Sequence, residues 1–66
     1  MDEFEKSLAR SIKEAEKNIE KLKEEIDKAE RAGIDVAELR MKYEDAKMKI
    51  ARIKSVYFPK GLPKEG

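Results

Sequence analysis

Apolar residues recur along this chain at steps of three and four. Phe4, Leu8, Ile12, Ala15, Ile19, Leu22, Ile26 and Ala29 form a first line. Such spacing keeps one face of an α-helix apolar. From Ile12 onward the line is a heptad seam, with Ile at a (12, 19, 26) and Ala or Leu at d (15, 22, 29). The opening 4-4-3 steps add up to eleven residues, which relaxes a left-handed supercoil locally. A second line, Val36, Leu39, Tyr43, Ala46, Ile50, Ile53 and Tyr57, alternates strictly by three and four.

The ends of both lines carry helix signals. Asp2 and Glu5 stand at capping-box spacing, which starts a helix near Glu3. Gly33 suits the left-handed position that ends it. Asp35 then reads as the N-cap of a second helix with Glu38 as its reciprocal partner. Ile34 is at staple spacing from Leu39, and it also follows the first helix where it can touch Ala29. So short a connection makes the two helices antiparallel neighbours. Pro59 disfavours helical geometry at the residue before it and ends the second helix near Phe58.

The two seams fit one register. Ala29/Val36, Ile26/Leu39, Leu22/Tyr43, Ile19/Ala46, Ala15/Ile50, Ile12/Ile53 and Leu8/Tyr57 all have index sums of 65. Several layers set a large residue against a small one, as close packing requires. On the flanks the register brings Glu16 towards Lys47 and Glu25 towards Lys42, with Lys23 and Arg40 a like-charge exception. The expected fold is all-α: an antiparallel two-helix hairpin, helical over about 3–32 and 36–58, followed by an extended tail over 59–66. The tail is expected to fold back towards Phe4, which the register sets opposite Gly61.

Length makes a second copy part of the expectation. Sixty-six residues in two helices shield only one stripe of each. Burial at ~1.5–3 kcal/mol per large side chain then barely offsets ~1–2 kcal/mol of backbone entropy per ordered residue. Pairing two hairpins into a four-helix bundle extends the burial. The seam edges of the second helix hold Arg40, Lys42, Lys47, Lys49 and Lys54, and those of the first hold Glu16, Glu25 and Glu30, with Lys23 as the exception. An antiparallel homodimer that sets helix 1 against helix 2 of its partner would match them.

Composition narrows the chemistry. Charged residues make up 47% and apolar residues 39%, yet the net charge is only +1. Balanced charge with periodic aliphatics argues for long helices rather than disorder. Without Cys or His, thiolate chemistry and the commonest general base and metal ligand are excluded. No glycine-rich phosphate loop or nucleophile elbow occurs, so an enzyme, a cofactor, a metal centre and a small-molecule substrate are not expected. No apolar run approaches the ~20 residues of a membrane span, and no signal peptide is visible, which points to a cytoplasmic protein without a membrane partner. Gln and Thr are absent and Asn18 is the only Asn, a thermophile-like composition.

Two features compete for function. Ala37, Met41, Met48 and Ala51 form a stripe roughly opposite the seam of helix 2, interrupted by Glu44 and Ser55. Met suits adaptable contact surfaces, so this stripe is a candidate face for a partner protein. The other feature is charge asymmetry. Residues 1–33 hold ten acidic and eight basic side chains, whereas residues 34–66 hold five and eight. Lys47, Lys49, Arg52, Lys54 and Lys60, with Tyr57 and Phe58 among them, are candidates for phosphate contact and base stacking.

The stretch Lys49-Ile50-Ala51-Arg52-Ile53-Lys54-Ser55-Val56 resembles the second-helix motif of a small large-subunit ribosomal protein family that also folds as a two-helix hairpin. The likeness covers those eight residues; the first helix and the loop depart from the pattern. The architecture is also similar to plasmid-encoded dimeric helical hairpins that bind RNA, an analogy of fold alone. The leading expectation is a non-enzymatic dimeric interaction or adaptor module. The alternatives are a dimeric DNA- or RNA-binding regulator and an assembly domain of a longer protein.

Overall fold

The computed structural model describes residues 2–63. It is a helical hairpin of two elements, α1 (Glu3–Arg31) and α2 (Ala37–Tyr57). It measures 46 × 21 × 17 Å with a radius of gyration of 14.5 Å. A compact chain of this length would have a radius near 11 Å, so the molecule is a rod with little interior.

Each end of α1 is closed by its own residues. Glu5 N donates to Asp2 Oδ1 at 2.8 Å, which satisfies one free amide of the first turn. At the other end Ile34 N donates to Ala29 O at 2.9 Å and Gly33 N to Glu30 O at 3.0 Å. Those two bonds, with Gly33 at φ +82°, make a Schellman motif. The link from Ile34 to Ala29 is made by the backbone, and the Ile34 side chain is exposed.

α2 begins one residue later than the capping-box reading. Val36, not Asp35, occupies the N-cap position, and its side chain is buried. The Asp35 carboxylate still caps the helix, accepting from Ala37 N at 3.0 Å. This shift moves Ile34 out of staple position. Among the described residues no bond joins Glu38 to the Asp35 amide; Glu38 instead adds an acid to the first turn, where the helix dipole favours it.

The helices pair antiparallel. Arg40 Nη2 donates to Glu30 Oε2 and Lys54 Nζ to Glu16 Oε2, both at 3.0 Å. Each of these pairs sums to 70. With a–d layers summing to 65, pairs of e residues can sum to either 63 or 70, since both partners flank one layer. Glu16 therefore reaches Lys54 rather than Lys47, and no ion pair joins Glu25 to Lys42 among the described residues.

Burial is uneven. Ile12 and Ile26 are buried from the seam of α1, and Ala9 beside it. Within α2 no residue is buried. Tyr43, Ala46, Ile50 and Ile53 are half-buried, while Leu39 and Tyr57 remain exposed.

The segment after α2 supplies the missing cover. Phe58 leaves the helix at φ −134°, ψ 58° and turns its ring inward, to 7% exposure, against Ala9 and Ile12. Gly61 N donates to Phe58 O at 2.9 Å, closing a turn with Pro59 second, Lys60 third and Gly61 fourth. Pro and Gly at those places suit a type I turn. Leu62 then packs on the same cluster, and Lys13 Nζ donates to Pro63 O at 3.0 Å. The tail thus folds back onto Ala9, Ile12 and Lys13, roughly one and a half to two and a half turns beyond Phe4. Phe4 instead stacks at a tilt on Tyr57, 5.8 Å between centroids. Residues 64–66 of the expected tail lie outside the described residues.

Candidate interaction surface

On the e side of the hairpin a shallow groove of about 280 Å³ runs between the helices. Ile19, Tyr43, Ile50 and Ala51 line its apolar part. Glu16 and Glu20 stand along α1, and Lys47 and Lys54 along α2. The heptad pattern explains this placement. Positions a, e and b follow one another around a helix, so the groove exposes the edge of the seam and the two positions beside it.

The methionine stripe adjoins the groove. Ala51 belongs to both, and Met48 lies one turn away from it on the same face. Met41 is 73% exposed and Met48 61%. Ala37 and Ala51 are exposed as well. Small and flexible side chains here let another helix approach closely.

The five basic candidates do not share one surface. Lys47 and Lys54 are e residues on the groove side, whereas Lys49 and Arg52 are g and c residues on the other flank of the seam. Lys49 Nζ is 3.0 Å from Asp45 Oδ2 and Lys54 Nζ is 3.0 Å from Glu16 Oε2. The Lys47 ammonium sits over the Tyr43 ring, 5.1 Å from its centroid. The Arg52 carbonyl accepts from the Ser55 hydroxyl. Lys60 is exposed in the turn. Phe58, read from sequence as a stacking surface among these charges, is a core residue and offers no ring face to a base.

Three residues the periodicity did not single out shape the surface. Ala9 is an e residue whose index sums to 70 with Gly61, so the tail continues the flank on which Glu16 meets Lys54. Leu62 completes the cluster there. Val56, a g residue, is left exposed on the opposite flank.

Among the described residues no polar or charged side chain is buried, and no cluster of three or more acidic side chains could hold a metal ion. No helix of the described residues is long and apolar enough to cross a membrane. Comparison with protein-family models, curated proteins and solved structures found no match. The groove presents half-covered apolar edges that a partner would remove from water, bounded by charges that set orientation.

Proposed function

We propose that this chain is a non-enzymatic helical-hairpin interaction module that pairs into a four-helix bundle and presents the Met41–Met48 face to a partner protein. The observation that carries the reading is the imbalance between the helices. α2 has no buried residue, yet it carries two heptad lines' worth of apolar side chains, on its seam and on its outer stripe. A helix draws most of its stability from packing of its apolar face. A second hairpin supplies that packing for the seam edges, which leaves the outer stripe for another protein.

The regulator reading has weaker support. Lys49 and Lys54 are engaged within the chain, Lys47 rests on Tyr43, and the basic side chains divide between two flanks. Nucleic-acid contact uses basic side chains gathered on one face.

Sedimentation equilibrium at tens of micromolar tests the assembly. A mass of twice the 7.6 kDa chain is expected, and a species of 7.6 kDa overturns the dimer. A titration with duplex DNA and structured RNA at two salt concentrations tests the choice of partner. No binding at low salt is expected. Salt-sensitive binding lost in Lys47→Glu/Arg52→Glu would establish the regulator instead.

A further inference from the structure

We infer that the groove face receives a second copy of this chain about a two-fold axis parallel to the helices. Both Gly33 turns then lie at the same end of the bundle, and Glu20 of each protomer meets Lys47 of the other. This rests on the dimer reading above and gives it a face and an axis; the two hairpins run parallel, in place of the antiparallel homodimer expected from sequence, while helix 1 still lies against helix 2 of its partner.

Charge selects the face. After Glu16 has paired with Lys54, Glu20 and Lys47 are the groove charges left without an ion-pair partner among the described residues. One stands on α1 and the other on α2, at nearly the same height, because facing residues sum to 65 and these sum to 67. The whole e and b face repeats the pattern. On α1 it holds Lys6, Lys13, Glu16, Glu20, Lys23, Asp27 and Glu30, three bases against four acids. On α2 it holds Arg40, Glu44, Lys47 and Lys54, three bases against one acid. On the g and c flank the α1 charges cancel and α2 is weakly basic, with Lys42, Lys49 and Arg52 against Glu38 and Asp45. That flank has no matching acid edge to offer.

Symmetry selects the axis. Two hairpins can meet face to face by rotation about an axis along the helices or across them. Rotation across the helices, centred on the groove, sets α1 on α1 and α2 on α2. Glu20 would then face Glu20 and Lys47 would face Lys47. Rotation along the helices keeps every residue at its height and sets α1 on the other protomer's α2. Each acid edge then meets a basic edge, and every neighbouring helix pair is antiparallel. Like charges across an interface disfavour a wrong arrangement more strongly than matched charges favour the right one. A long face of a molecule measuring 46 × 21 × 17 Å is comparable in size to the ~800 Å² per partner that a standard interface buries.

Spin labels at Ile34→Cys test the polarity, since the chain has no other Cys and this side chain is exposed. Labels at Ala32→Cys give a second, independent pair of sites. With both turns at one end, the labelled backbones are separated by roughly 10–20 Å, one or two helix-packing distances. With turns at opposite ends they are separated by about the 46 Å length of the rod. A short distance in a species of dimer mass is the expected result. A long distance in such a species overturns the polarity and leaves the dimer intact, whereas monomer mass overturns the dimer itself.

A charge swap adds an affinity readout. Glu20→Lys is expected to weaken dimerisation about tenfold, through two symmetric rim contacts. Adding Lys47→Glu to the same chain is expected to restore it. Failure of that rescue, with the helical content of both variants unchanged, overturns the Glu20–Lys47 contact.

Discussion

The Lys13 ammonium holds the carbonyl of Pro63 at 3.0 Å, across fifty residues of chain. Beside that contact Phe58 and Leu62 close over Ala9 and Ile12. The tail is thus part of the core, and truncating its side chains should unfold the open end of the rod. Phe58→Ala is expected to cost about 3 kcal/mol, and Leu62→Ala, which is only half-buried, about 1 kcal/mol. Thermal unfolding followed by circular dichroism checks the order. Equal melting temperatures for Leu62→Ala and the parent chain would remove the tail from the core.

Gly33 sits at φ +82°, and a Cβ built there meets nothing within 4 Å. The cost of a side chain is therefore conformational rather than steric. Gly33→Ala should destabilise the hairpin by about 1 kcal/mol, and Gly33→Asn by less, because Asn tolerates the left-handed region. Urea denaturation of the two variants measures the difference. If Ala and Asn cost the same, the turn relaxes to another conformation.

Ile26 is 2% exposed and lies on the turn side of the seam. Ile26→Ala is expected to cost about 2–4 kcal/mol. Met48→Ala, on the open face, should change the stability of the hairpin by less than about 0.5 kcal/mol. A drop for Met48→Ala that steepens with protein concentration would show that the methionine face lies inside the assembly rather than outside it.

Glu16 and Lys54 bridge the helices at 3.0 Å with both side chains more than a third exposed. In dilute solution, where the hairpin is a monomer, a double-mutant cycle with Glu16→Gln and Lys54→Met should give a coupling of about 0.5 kcal/mol, falling in 0.5 M salt. At concentrations where the second copy covers the groove the coupling should rise and lose its salt dependence, and an unchanged coupling there would leave the groove open.

Local interactions were legible in the sequence. The Schellman turn needed only Gly33 with Ala29 and Glu30 behind it, and the α1 cap needed only Asp2 with Glu5 ahead. What stayed hidden depends on where the chain goes after a helix has ended. Pro59 announces that α2 stops, but not that Phe58 turns back inward. Burial of Ala9 follows from that turn, because without the tail an e residue at this height faces water. The choice of Lys54 over Lys47 as the partner of Glu16 needed side-chain direction, which index sums leave out. Side chains lean towards the N-terminus of their own helix, so in an antiparallel pair Glu16 and Lys54 converge while Lys47 leans away. α2 begins one residue late because Val36 takes a non-helical backbone, φ −112° and ψ 12°, with its side chain buried.

The three-residue Gly33-Ile34-Asp35 connection also orders events in time. Facing residues are seven apart in sequence at Ala29 and Val36, and forty-nine apart at Leu8 and Tyr57. Closing a loop costs more chain entropy as it lengthens. Contacts beside the turn therefore form first, and pairing advances like a zipper towards the open end. The tail docks last, because Leu62 has no site until Ala9 and Ile12 have met Phe58. The same gradient governs opening: amide exchange should be slowest around Ile26 and Ala46 and fastest where Phe4 rests on Tyr57.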